Sequence, residues 1–98
     1  MATFVSTIRF TQQGMAGIQE TCKRAAGIRA TAKKMGAKVI NVYWAMGPFD
    51  GFLIFEAPDD ETATALMLRI GSAGNVQTQT ARAFSAVEME KILARAAK

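Results

Sequence analysis

A chain of 98 residues, half of them hydrophobic, suits one folded domain spanning 1–98 and excludes a disordered segment. Its 12 basic and 8 acidic residues leave a formal charge of +4, a mild attraction for anions. Without aromatic platforms or a docking motif, that charge speaks against a nucleic-acid partner. There is no histidine and only one cysteine, Cys22, so an intrachain disulfide and a cysteine-based metal site are excluded, and the commonest neutral-pH base is missing.

Residues Thr3 to Phe10 predict a first strand, with Phe4, Ile8 and Phe10 on one parity and Val5, Thr7 and Arg9 on the other. Thr11 offers a cap to a short helical segment broken by Gly14 and Gly17. A longer helix is expected from Thr21 to Met35, its inner stripe formed by Cys22, Ala25, Ile28, Ala32 and Met35, with Arg24, Thr31 and Lys34 facing elsewhere and Gly36 as its stop. Cys22, as part of that stripe, is expected to be buried.

Val39 to Met46 and Gly51 to Phe55 then read as two adjacent antiparallel strands, joined by the turn-prone Gly47, Pro48, Phe49 and Asp50. Gly51, Leu53 and Phe55 alternate with Phe52 and Ile54, so both faces of this hairpin are largely apolar. Helices cover one face of a small sheet. The other calls for a second cover, most simply another copy of the chain. A chain of this size buries only about two-thirds of its unfolded surface, which adds to the case for a subunit contact.

Pro58 ends the second of these strands, and Asp59 or Asp60 can cap a helix whose inner stripe is Ala63, Leu66, Met67 and Ile70. Gly71 to Asn75 turn the chain back into a polar strand, Val76 to Phe84, suited to a sheet edge or a wet pocket wall. Ser85 with Glu88 forms a capping box, and Met89, Ile92, Leu93 and Ala96 give a short terminal amphipathic helix. The order βαββαβ with an added helix predicts an α+β, ferredoxin-like fold with a four-stranded antiparallel sheet. Two such sheets meeting by their open faces would make a dimeric α/β barrel.

The segment GPFDGFLIFEAPDDETA, Gly47 to Ala63, resembles the GYD domain family of small bacterial proteins, and so do TQQG at Thr11 to Gly14 and GSAGNVQTQTARAF at Gly71 to Phe84. Phe49 stands where that family often has tyrosine, so a phenolic hydroxyl there is not essential to this member. The structural signature is Gly47, Phe49, Asp50, Gly71 and Gly74. The resemblance implies a ferredoxin-like, dimeric-barrel fold and no particular activity. The turn is also similar to that of effector-binding domains of leucine-responsive regulators, and the shape to small cofactor-free monooxygenases and stress-response dabb proteins.

Asp50 is the most singular polar residue. Its carboxylate suits either a ligand-orienting acceptor or base at a barrel mouth, or a turn cap accepting backbone hydrogen bonds. Tyr43 and Trp44 have opposite parity, so one enters the core and the other faces the barrel or subunit contact; each, with Phe52, can line a pocket or simply pack. Arg9 and Arg82 can fork onto a carboxylate ligand or form ion pairs. Met15 and Ile18 are placed to cover a cavity opening, and Thr78 and Thr80, with Gln77 and Gln79, can dress a polar wall.

The acids Asp59, Asp60 and Glu61 suit helix capping better than a cation, and neither metal nor cofactor is expected. The basic run from Lys23 to Lys38 reads as a solvated helix face. With no targeting core and no membrane-length apolar run, a cytoplasmic protein is expected.

The leading functional expectation is a homo-oligomeric binding module with a small hydrophobic or aromatic carboxylate in a cavity between sheet and partner subunit. A cofactor-free monooxygenase- or isomerase-like enzyme and a pocketless interaction protein are the alternatives.

Overall fold

The computed structural model describes residues 1–97. Four strands, β1 (Ala2–Phe10), β2 (Lys38–Trp44), β3 (Gly51–Ala57) and β4 (Val76–Ala83), form one antiparallel sheet in the order β2-β3-β1-β4. The short α1 (Gln12–Ala16) and a 3-10 turn (Ile18–Glu20) lead into α2 (Thr21–Lys34), while α3 (Asp60–Ser72) precedes β4 and α4 (Ala86–Ala96) follows it. This is the expected ferredoxin-like arrangement. The polar β4 lies at an edge, where its outer backbone groups need no partner strand.

Alternation along β3 decides what each face does. Gly51, Leu53, Phe55 and Ala57 are buried beneath α2 and α3, whereas Phe52, Ile54 and Glu56 between them point the other way and are half-buried. Phe4 of β1 pairs with Phe55, their rings stacked 5.3 Å apart, and Ala32, Ala63, Leu66 and Ile70 close the core from the helices. The one buried polar residue of that core, Ser6, shares a 2.9 Å hydrogen bond with the Thr80 hydroxyl across the β1–β4 pair.

Local signals set the element ends. Gly36, at φ 83°, ends α2: its amide donates to Lys33 O at 3.2 Å, and Ala37 donates to Ala32 O at 2.9 Å, closing a Schellman motif. Asp59 caps α3 by accepting the Thr62 amide at 2.7 Å, and Ser85 and Glu88 make the expected capping box. The hairpin strand β2 stops at Trp44 rather than Met46, because Ala45 N donates to Asp50 O at 2.8 Å and closes the loop early.

Helix α2 keeps most of its expected inner face: Ala32 is buried, and Ala25, Ile28 and Met35 are half-buried. The edges of that face differ, since Cys22 is exposed, not buried, and Arg24 and Thr31 join Thr21, Ala25 and Ile28 on the sheet side. Arg24 and Thr31 lie next to Ile28 around a helix of about 3.6 residues per turn, whereas Cys22 lies at the opposite margin of the stripe. Small residues alone define the stripe weakly, so Trp44 and the α1 junction orient this end of the helix.

Two sequence-distant segments meet in that junction. The Thr11 amide donates to Asn75 O at 3.0 Å and its hydroxyl to Gly74 O at 2.6 Å, while Gln13 Nε2 donates to Ala73 O and Asn75 Oδ1, both at 3.1 Å. Gly14 is required here, since a Cβ would lie 1.9 Å from the Asn75 carbonyl oxygen.

Gly14→Ala is therefore expected to destabilise the fold by about 1–3 kcal/mol through forced backbone displacement. Gly27→Ala, inside α2 with nothing within 4 Å of the new methyl, should stabilise it by about 0.5–1 kcal/mol. Urea denaturation of the two variants checks these opposite signs.

Hydrogen bonds from the Thr62 side chain and amide hold the Asp59 carboxyl below its usual pKa, and those from the Ser85 amide and hydroxyl do the same for Glu88, aided by Arg82. A folded value below the unfolded one stabilises the protein above the unfolded pKa of about 4, and that contribution is lost as pH falls through the folded value. Thermal melts from neutral pH downward should show an acid limb that is shallower in the Asp59→Asn, Glu88→Gln double variant.

Candidate functional site

The core is filled at one end of the sheet and hollow at the other. A cavity of about 330 Å³ opens between the helix-side face of the sheet and α2, bounded on its far side by the end of α3 and by Ala73 and Asn75. Its floor is the cross-strand row Trp44, Gly51 and Ile8, with Val42 beside it and Phe10 and Val76 beyond. Gly51 lacks a side chain where the next residues of its parity, Leu53 and Phe55, fill the space, and its bare Cα is enforced because a Cβ would lie 2.6 Å from Tyr43 O. The roof is equally thin: Thr21, Ala25, Gly27 and Ile28 of α2 reach only a short way down. A small residue in each layer leaves the void.

Trp44 spans the two layers. Its indole Nε1 donates to Thr21 Oγ1 at 3.0 Å, tying the end of β2 to the first turn of α2. The polar and charged residues of the otherwise apolar lining are Thr21, Thr31, Asn75, Asp50, Arg24 and Arg69. Arg24 Nη2 donates to Gly14 O at 3.1 Å, bracing the α1 junction against α2.

Asp50 continues the β1–β3 ladder beyond the last regular pair. Its amide donates to Ile8 O at 2.8 Å, and its Oδ2 accepts the Phe10 amide at 2.8 Å. The carboxylate thus replaces the backbone carbonyl that β3 no longer supplies, which is the turn-stabilising role. It also borders the cavity. The lining contains neither histidine nor cysteine, and this already-bonded carboxylate is its only acid.

The other residues singled out in the sequence are dispersed. Tyr43 borders the cavity, but its ring lies on the opposite face, 5.0 Å from Phe52, whose ring meets Phe49 edge-on at 6.2 Å. Phe52 and Arg9 therefore belong to the open face and do not line the cavity. Arg82 is on the helix side but far along β4, over the Phe84 ring at 4.5 Å; it bonds the carbonyls of Thr3 and Ala83 and pairs with Glu88 at 3.5 Å. Of its two expected roles the ion pair is the one seen here, with Glu88.

Met15 and Ile18 do not line the chamber either, and Thr78, Thr80 and Arg82 border a separate, more polar depression of about 410 Å³. Arg69 was not anticipated from sequence, and Arg24 was placed on the wrong face. The available signal was their spacing: Arg24 lies three residues after Thr21 and four before Ile28, and Arg69 directly precedes the buried Ile70.

The open face carries Tyr43, Phe52, Ile54, Val5 and Thr7, flanked by Arg9, Lys38 and Glu56. Helix α4 has no buried residue: Met89, Leu93 and Ile92, with Ala96, form an apolar stripe whose Leu93 is 56% exposed. Among the described residues, no helix is long and apolar enough to cross a membrane.

Sheet order, paired helices and hollow end together define a ferredoxin-like α+β protein. The chain belongs to the GYD domain family, whose model matches residues 4–93. It is 27% identical over 90 residues, 91% of this chain and 95% of the other, to the glutamine synthetase and cystathionine beta-lyase binding protein of Thermus thermophilus. The crystal structure of MtbAldR is similar with a TM-score of 0.67 and 15% identity over 86% of this chain, which spans about half (52%) of that one. The crystal structure of TTHA0845, also from Thermus thermophilus, gives 0.57 and 24%, covering 88% of this chain and 96% of the other.

Asp50→Ala leaves the Phe10 amide without its acceptor and is expected to cost about 1–3 kcal/mol of stability. Asp50→Asn keeps a carbonyl oxygen at the same place and should lose less. Chemical denaturation of both variants, with amide exchange at Phe10, checks the ranking.

Proposed function

We propose that the protein is a homo-oligomeric binding module that holds a small, mainly apolar molecule in the chamber beneath α2. The observation that carries this reading is the chamber itself: about 330 Å³ of space with apolar walls and a few polar groups at its edge. That combination matches ligand pockets, which are commonly of roughly 300–1,000 Å³. The ligand site lies within one protomer, so the subunit contact expected from sequence has a separate task.

That task is covering the open sheet face, and a second copy of this chain is the proposed occupant. Four strands at about 4.8 Å spacing and seven residues at about 3.3 Å each give a face of roughly 20 by 23 Å. That is on the order of 450 Å² of flat footprint before the relief of the side chains is counted, against the roughly 800 Å² of accessible surface per partner in a standard interface. Arg9 and Lys38 share the face with Glu56, so a copy turned through a two-fold axis can meet opposite charges.

A second reading is an enzyme-binding protein. The unpartnered stripe on α4 favours it, and the Thermus relative, named for binding two enzymes, supplies the type of partner. A cofactor-free enzyme is supported less, because the chamber's single carboxylate already accepts a backbone amide and has no second acid or base facing it.

Native mass spectrometry of the freshly purified protein separates these readings. A dimeric mass with an additional small component released on denaturation is expected. A monomer would remove the second copy from the open face, and a protein that takes up no small apolar compound at millimolar concentration would overturn the binding-module reading.

A further inference from the structure

We infer that the molecule held in the chamber is an apolar carboxylic acid whose carboxylate is bound at the rim by Arg69 and Arg24. The inference rests on the binding-module reading and gives the site a chemical preference. Arg24 and Arg69 are the chamber's two cationic side chains, and they come from different helices. Among the described residues, the one ion pair is Arg82–Glu88, which lies elsewhere, so neither guanidinium has a carboxylate partner among them.

Asp50, the single acid of the lining, does not neutralise them, and its Oδ2 is already held by the Phe10 amide at 2.8 Å. Arg24 spends one nitrogen on Gly14 O at 3.1 Å, which fixes its guanidinium while leaving other N–H groups to donate. The half-buried Arg24 and exposed Arg69 place the positive charge at the rim, whereas the floor at Gly51 is buried. The chamber thus has an apolar body and a cationic entrance.

A carboxylate with a single ring or a short branched chain matches both parts. Its apolar end displaces water along Ile8, Val42 and Trp44, and its two oxygens take charge-assisted hydrogen bonds at the rim. An amine of the same shape meets two cations against one anion and is disfavoured. A neutral amide of the same shape gains the apolar contact and one carbonyl acceptor, but not the ion pair or the second acceptor oxygen.

Isothermal titration of the purified protein with phenylacetate, phenylacetamide and phenethylamine tests the assignment. Phenylacetate is expected to bind at least tenfold tighter than the amide, with the amine weakest, and its advantage should shrink as salt is raised. Arg69→Gln should reduce acid affinity several-fold more than amide affinity, narrowing the gap between the two. Arg24→Lys, which keeps the charge but loses the fork, should show a smaller loss.

Equal binding of acid and amide by the unaltered protein would overturn the carboxylate assignment and leave the apolar chamber as a binding site. Failure of all three compounds to bind would count against the binding-module reading itself.

Discussion

The two-residue period of β3 is the constraint on which the molecule turns. One parity supplies Leu53, Phe55 and Ala57 to the core and, at Gly51, supplies nothing; the other places Phe52 and Ile54 on a face that neither α2 nor α3 covers. A slip of one residue would exchange the two sets and put Glu56 into the core, so register is strongly specified. From this single alternation follow the packed end, the hollow end and the apolar outer face. Asp50 secures the register at the open end by supplying an acceptor beyond the last regular pair.

Much of this was legible in the residues because several signals agree. Period-two patterning in Thr3–Phe10 and Gly51–Phe55, caps at Asp59 and Ser85, and the stop at Gly36 all indicate the same element order. The edges of the inner face of α2 were not legible to the same degree. Ala25, Ile28, Ala32 and Met35 face inward as their spacing indicates, but Cys22 at one margin is exposed, while Trp44 bonds Thr21 and, at the other margin, Arg24 reaches Gly14. Both contacts are tertiary.

The site was legible only in part for a related reason. Trp44, Tyr43 and Asp50 stand out by residue type and do border the chamber, while Phe52, Arg9 and Arg82 stand out equally and lie elsewhere. A void is made by what is missing, here the side chains of Gly51 and Gly27, and absence does not mark itself in a sequence. The contacts between Thr11–Gly14 and Gly74–Asn75 give both resemblance-bearing stretches a common structural use: they join the end of β1 to the start of β4 beside the chamber wall.

The position of β1 also has a consequence for how the chain acquires its structure. It is the first strand in the sequence, yet both of its neighbours, β3 and β4, lie far downstream. At a synthesis rate of about 5–20 residues per second, several seconds pass before the segment that pairs with its second edge exists. Until then Phe4, Val5 and Ile8 sit on a strand with an unsatisfied edge, while the β2–β3 hairpin can already close locally. The edges of β1 thus wait for their partners, and the closure of long loops onto β1 is expected to govern the rate at which native structure appears.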